Sequence, residues 1–366
     1  KPQRNSVVMP VHPAFRLRGK AVTRSELPSR IEAMREEGGF TADLADFMRE
    51  WLDAKDWVHG QTSGSTGTPK QLKLSKEAMA ESAARTCAFL GLAPGVTAYL
   101  CMPVKYVGGK MMVVRAMTQG LDLIWNTPSL TPMKGLREPP VFTAMTPMQA
   151  TAALADPDEP ELLKGTRHIL LGGSAVSPTL AAAVADFPNA VWSTYGMTET
   201  VSHIALRRLS GEKAAESYMP LPGVTVSLAE NGALTIDAPG IAAGRLVTND
   251  LAEILADGSF RILGRLDNVI NTGGIKVQIE TAETILRDII NAPIAVTSVP
   301  DEKTAEKVVL LVAGSFDEKD LMEAAKAKLP RYWNPKVIVR VDEIPETGSG
   351  KPDRRAIRAL AARLLA

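Results

Sequence analysis

Three times between Thr97 and Ala185 a short apolar run gives way, after a turn, to a segment with helical spacing. Thr97 to Met102 precedes a long apolar helix from Lys110 to Gln119. Val141 to Met145 runs into Thr146-Pro147, a hydroxyl N-cap with proline at the first helical position. His168 to Leu171 ends in Gly172-Gly173-Ser174, and Ser177-Pro178 opens a helix over Thr179 to Ala185. Strands alternating with helices predict an α/β fold in which the faces of a sheet are covered. Ligands bind such sheets where strands end at their carboxyl edge. The Gly172-Gly173 pair stands at such an end, where missing side chains let a flat ring approach the backbone.

Upstream lies Thr62-Ser63-Gly64-Ser65-Thr66-Gly67-Thr68-Pro69-Lys70. Its glycines, hydroxyls and lysine can wrap N–H and O–H groups around a phosphate chain, which makes it an anion cradle. It lacks the Gly-Lys-Ser/Thr ending of the kinase P-loop. A flexible linker has a similar composition. Apolar patterning resumes at once in Leu72, Leu74 and the helix-like run Lys76 to Phe89, so the loop joins packed elements.

The 366 residues, 45% of them apolar and 23% charged, suffice for one large core and a smaller one. A net charge of +1 without long basic runs gives no footprint for nucleic acid or a membrane surface. Nothing between Lys1 and Lys20 has the apolar core of a secretory signal, and no run could span a bilayer. Cys87 and Cys101 lack metal-ligand spacing and read as reduced core thiols of a cytoplasmic protein. Leu44, Phe47, Met48, Trp51 and Leu52 predict one amphipathic helix before the loop. Asp257-Gly258 marks a hairpin. Beyond Asn268 the pattern becomes a compact α+β unit, with helices over 281–289 and 316–329 and strands over 294–299, 307–312 and 336–341.

The loop at 62–70 resembles the phosphate-binding signature of the adenylate-forming superfamily, which holds the acyl-CoA synthetases, luciferases and peptide-synthetase adenylation domains. Further segments resemble that family in order: Gly172-Gly173-Ser174, then Tyr195-Gly196-Met197-Thr198-Glu199, then Thr248-Asn249-Asp250, then Gly264-Arg265 through Gly273-Gly274, and last Pro345-x-Thr347-x-x-Gly350-Lys351-x-x-Arg354. The resemblance implies a large N-terminal domain over 1–266, trimmed at its start, and a small mobile C-terminal domain over 267–366 turning on Asp267.

It also implies roles. Thr62, Ser63, Gly64, Ser65, Thr66, Gly67 and Lys70 would hold the triphosphate. Gly173, Ser174 and Tyr195 would take the adenine, and Asp250 and Arg265 the ribose. Thr198 would meet the α-phosphate, Glu199 would hold Mg2+, and Lys351 would be the catalytic lysine. Gly273, Gly274 and Lys276 would admit coenzyme A. Ser193 stands where many relatives carry Asn or Gln, and Tyr106 where a histidine is usual. Lys105, Tyr106 and His203 are candidates for the acyl pocket, although a surface lysine and a satisfied core histidine would read the same way. The implied activity is ATP-dependent, AMP-forming ligation of a carboxylate to coenzyme A. The expected acid is o-succinylbenzoate, whose second carboxylate would need a partner such as Lys105. Another aryl or acyl acid, a carrier-loading adenylation domain and an inactive nucleotide-binding regulator are the alternatives. A homodimer is compatible with all of them.

Overall fold

A computed structural model describes residues 9–61, 71–347 and 352–365. At its centre a nine-stranded sheet runs in the order Met219–Pro220, His203–Arg208, Ala190–Gly196, His168–Leu171, Phe142–Met145, Thr97–Leu100, Asp122–Trp125, Arg16–Leu17, Lys20–Ala21. The interior pairings are parallel. Antiparallel strands close both edges. The expected helices lie between the strands, over Val107–Gln119, Pro147–Ala155 and Pro178–Val184. Thr146 caps as expected, and Gln149 completes a reciprocal box, with Gln149 N–H donating to Thr146 Oγ1 at 3.1 Å and Thr146 N–H to Gln149 Oε1 at 3.1 Å. Cys87 and Cys101 are buried and unpaired, and burial pushes their thiols up to about 11 and about 12. They are inert packing groups at neutral pH.

The N-terminal region holds two helices where one was expected. Leu27–Glu37 and Gly39–Leu52 meet at Gly38, whose φ of +73° turns the chain between them. Trp51, wholly buried, packs with Val58 and Leu74 of a hairpin formed by Trp57–Gln61 and Gln71–Ser75. Lys76 begins the next helix, Lys76–Leu90, and its buried ammonium is matched by Asp53 Oδ1 at 2.8 Å and the Asp53 carbonyl at 2.9 Å. These contacts hold the two stems of the 62–70 loop, paired as Gln61 with Gln71, against the main core.

A four-stranded antiparallel sheet, with Leu246–Ile254 and Phe260–Arg265 as the hairpin at one edge, leans on the large one. Aromatic contacts join them. Tyr195 meets Phe260 edge-on at 5.2 Å, Tyr218 stacks on Phe260 at 5.8 Å, and Tyr218 Oη bonds Ser193 Oγ at 2.9 Å.

From Val269 onward five strands make a separate sheet with apolar clusters of its own. Helices Ile279–Arg287 and Glu318–Lys328 cover one face. The other face is covered by Arg354–Leu364, a helix absent from the sequence reading although Asp353 caps it and Ile357 and Ala361 recur on one side. Arg354, drawn into the lysine-loop motif by resemblance, has a structural partner. It is bidentate to the buried Glu283, at 2.6 and 2.9 Å, and Glu283 Oε1 also accepts Val296 N–H at 2.9 Å. Arg287 Nη2, 3.3 Å from Glu283 Oε2, remains as a second cationic partner when Arg354 is removed. Arg354→Ala should therefore cost about 2 kcal/mol in urea unfolding of the full chain, the loss of charged hydrogen bonds without a stranded charge. A loss within experimental error would show that Glu283 is satisfied without it.

Candidate active site

The register of the parallel strands lines up their carboxyl ends, pairing Met145 with Leu171 and Leu171 with Ser193. Thr146, Gly172 and Thr194 therefore emerge side by side at one edge. A Cβ on Gly172 would lie 2.6 Å from Thr194 Oγ1, so the close approach at this edge demands glycine. Gly173 follows, exposed and with φ of +89°, and Ser174 is half-buried beyond it.

Tyr195 ends its strand beneath the small sheet, and its hydroxyl donates to Asp250 Oδ2 at 2.6 Å. Asp250 Oδ1 receives Arg265 Nη1 at 3.4 Å, and the same guanidinium is bidentate to Asp267 at 2.8 and 3.0 Å. Asp250 and Arg265 are cross-strand partners in one hairpin, which places them together without help from the rest of the fold. Burial, the Asp250 charge and their mutual bond push the Tyr195 hydroxyl far up, so it stays a donor. Hydrogen bonding to Arg265 holds Asp267 below the usual carboxylate range. Tyr195, Asp250, Arg265 and Asp267, which lie up to 72 residues apart in sequence, thus form one polar chain.

Thr198 and Glu199 sit on a single 3-10 turn, Thr198–Thr200. Thr200 is buried and its Oγ1 accepts Met197 N–H at 3.0 Å, while Glu199 points to solvent. Val201 follows with φ of +64° and ψ of −48°, and Ser202 N–H closes back on the Thr200 carbonyl at 2.6 Å. This is a γ-turn of the positive-φ kind, strained for a β-branched residue. Gly196 makes room for it, because a Cβ there would lie 2.4 Å from the Ser202 oxygen.

Of the acyl-pocket candidates, Lys105 and Tyr106 are exposed, with Lys105 Nζ 5.8 Å from the Tyr106 ring. His203 is buried, and its ring nitrogens meet Thr86 Oγ1 at 3.0 Å and Ser202 Oγ at 3.4 Å. The sequence reading passed over Arg115, in the middle of an apolar helix. It is 2% exposed, donates to Ser202 Oγ at 3.3 Å, and has no carboxylate partner among the described residues. Its Nε has no acceptor among the described residues. Burial pulls its guanidinium down to about 10, leaving it charged at neutral pH. A charged residue between Val114 and Ala116 on a buried helix was a visible signal, since such a group is rarely buried unpaired.

Gly273 and Gly274 form a two-residue turn joining Val269–Thr272 to Ile275–Gln278, with φ of +60° and +82°. Both positive angles explain the glycines as a hairpin turn. Lys276 is exposed on the second strand. The expected triphosphate residues Thr62, Ser63, Gly64, Ser65, Thr66, Gly67 and Lys70 lie outside the described residues, as does Lys351. The chain on either side of Lys351 is tied together by a bridge between Glu346 and Pro352 and by Asp353 N–H donating to the Pro345 carbonyl at 2.9 Å.

A covered parallel sheet, a smaller antiparallel sheet on its flank and a compact α+β unit after them are the architecture of the adenylate-forming enzymes. The AMP-binding enzyme family matches residues 23–248, and the AMP-binding enzyme C-terminal domain matches residues 289–351, so the chain belongs to this family. It is 34% identical to an acyl-CoA synthetase (AMP-forming)/AMP-acid ligase II-like protein from Dyadobacter fermentans, with a TM-score of 0.63 over 88% of this chain and 95% of that one. A 2-succinylbenzoate–CoA ligase of Bacillus cereus is 26% identical over 82% of this chain and 69% of its own length. The o-succinylbenzoate coenzyme A synthetase of Bacillus subtilis, solved with ATP and magnesium ion, shares the fold at 20% identity and a TM-score of 0.69, over 82% of this chain and 69% of that one. The chain spans 4% of the length of one curated relative, a tyrocidine synthase of Brevibacillus parabrevis, and 82% of another, a probable 2-succinylbenzoate–CoA ligase of Mycobacterium tuberculosis. No helix among the described residues is long and apolar enough to cross a membrane.

Proposed function

We propose that the chain is an ATP-dependent, AMP-forming acid–CoA ligase whose acid is an aromatic dicarboxylate of the o-succinylbenzoate kind. One observation carries the substrate reading. Arg115 is a buried cation with no carboxylate of its own, held at Ser202 two residues past the Thr198–Thr200 turn. An uncompensated buried charge is costly, and a ligand carboxylate offsets that cost. A monocarboxylic acid spends its only carboxylate on the α-phosphorus. A dicarboxylic acid has a second one for Arg115. The likeness to 2-succinylbenzoate–CoA ligases supports the same choice.

In this reading the carboxylate attacks the α-phosphorus of ATP and pyrophosphate leaves. No side-chain nucleophile is required, and positioning with electrostatics does the work. Gly172 and Gly173 admit the adenine beside Tyr195. The ribose hydroxyls engage Asp250 and Arg265, which already carry the donors and acceptors a diol needs. Thr198 meets the α-phosphate, residues 62–70 hold the leaving phosphates, and Lys351 spans the α-phosphate and the acid. The proposed hinge at Asp267 divides an N-terminal domain of 1–266 from a C-terminal domain of 267–366. Turning about it withdraws Lys351 and brings the Gly273-Gly274 turn and Lys276 to coenzyme A.

Glu199 suits Mg2+, since its exposed carboxylate has no protein partner among the described residues and no cluster of three metal-ligating side chains occurs there. A hard cation that keeps most of its ligands as water and phosphate needs one such carboxylate. The ion would neutralise phosphate charge. Glu199→Gln should accordingly raise the Mg2+ concentration needed for half-maximal turnover by about tenfold. An unchanged Mg2+ titration would remove Glu199 from the metal site.

The class is tested by pyrophosphate release across a panel of acids, with and without coenzyme A. Release that depends on an aromatic dicarboxylate, with thioester formed only when coenzyme A is present, supports the reading. Equal or better turnover of benzoate or a fatty acid would move the chain to another acyl-CoA ligase. Nucleotide binding without release would make it a regulator.

A further inference from the structure

Arg115 stands at the end of a chain of hydrogen bonds whose direction follows from the Thr86 hydroxyl donating to the Ser82 carbonyl. Thr86, wholly buried in the helix Lys76–Leu90, donates its hydroxyl proton to the Ser82 carbonyl at 3.0 Å. That hydroxyl must then accept from His203 Nε2, 3.0 Å away, which makes His203 the tautomer protonated on Nε2. His203 Nδ1 is left as an acceptor and takes the Ser202 hydroxyl proton at 3.4 Å. The freed lone pairs of Ser202 Oγ face Arg115 Nη2 at 3.3 Å. Each hydrogen bond on the path from the Ser82 carbonyl to Arg115 Nη2 then has one donor and one acceptor.

Two further observations show that this segment is placed at a cost. Val201 adopts a strained γ-turn to bring Ser202 and His203 in line, and Gly196 is needed beneath it. Burial, with Arg115 nearby, keeps His203 neutral, so the guanidinium is the single positive charge at this point. A protonated imidazole would carry a proton on Nδ1, reverse the Ser202 hydroxyl and turn its proton on Arg115.

We propose that Ser202, His203 and Thr86 are positioning residues that orient Arg115 as the receptor for the acid's second carboxylate, and so set the preference for dicarboxylic acids. This rests on the substrate reading above and goes beyond it by assigning selectivity to groups that do not touch the acid. His203 thereby acts through Ser202, and Thr86, 117 residues away in sequence, acts through His203.

The test has one arm that needs no turnover. Nitrogen-15 imidazole spectra of the wild-type protein should show His203 protonated on Nε2 and still neutral where a free imidazole has begun to titrate. Thr86→Val should change that signature, and Thr86→Ser should keep it. In the kinetic arm, Ser202→Ala and Thr86→Val should each raise KM for o-succinylbenzoate about tenfold while KM for ATP stays put, with Ser202→Thr and Thr86→Ser recovering most of the loss. A His203 protonated on Nδ1, or a dicarboxylate KM indifferent to Ser202→Ala and Thr86→Val, overturns the relay while the substrate reading survives. A wild type that does not prefer dicarboxylates removes the substrate reading, and the selectivity role with it, even where the tautomer is as stated.

Discussion

Replacing Lys351 with alanine should lower acyl-adenylate formation by about 100-fold or more, the loss expected when a fixed charge at a phosphoryl transition state is removed. Transfer from supplied acyl-adenylate to coenzyme A should stay within about threefold of wild type if the proposed turn at Asp267 draws the lysine away in that half-reaction. Charge builds on the oxygens about phosphorus as the acid attacks, and in the proposed mechanism a single ammonium at Lys351 would offset it on both the α-phosphate and the acid. Arg354 gives the motif its anchor, fixing the start of the last helix to buried Glu283 three residues after the lysine. The measurement is single-turnover kinetics of each half-reaction in isolation. Losses of similar size in both would sink the assignment of Lys351 to the first step alone.

Arg115→Met should lower kcat/KM for o-succinylbenzoate by about 100-fold, chiefly through KM, because it leaves the ligand carboxylate buried without a partner. Methionine keeps much of the volume in a helix whose neighbours at Met111, Met112 and Met117 are fully buried, so the fold should survive and thermal stability should hold or rise. Activity toward benzoate should change little. Lys105→Ala is the control. Its ammonium is exposed and lies over the Tyr106 ring, so removing it should move neither acid by more than about twofold. Should Lys105→Ala produce the selective loss and Arg115→Met none, the partner of the second carboxylate is the lysine that the sequence first suggested.

Much of the fold was legible because its signals are local. The Thr146 and Ser177 caps and the Asp257-Gly258 hairpin depend on backbone angles and on hydroxyls within three residues. The strands over 142–145 and 168–171 announced themselves as apolar runs because both faces are covered. Two elements escaped for the opposite reason. Leu27–Glu37 has a weak apolar face with three buried residues, and Arg354–Leu364 is rich in arginine and gains its buried side from the sheet it covers.

The sequence by itself determined the family, the order of the motifs and the hairpin turn at Asp257-Gly258, while the register that sets Asp250 opposite Arg265, with its shift at Leu251 and Ala252, came from the structure. The sequence could not determine where Arg115 belongs. A lone arginine among Met111, Met112, Val113, Val114 and Met117 reads as an irregularity of a buried helix. Its partners Ser202, His203 and Thr86 come from a strained turn and from a different helix, 87 and 29 residues away from it or reached only through His203. Tertiary structure also decided that His203 is a neutral core imidazole, because tautomer and charge follow from the hydroxyls that packing places around the ring and from the loss of water there.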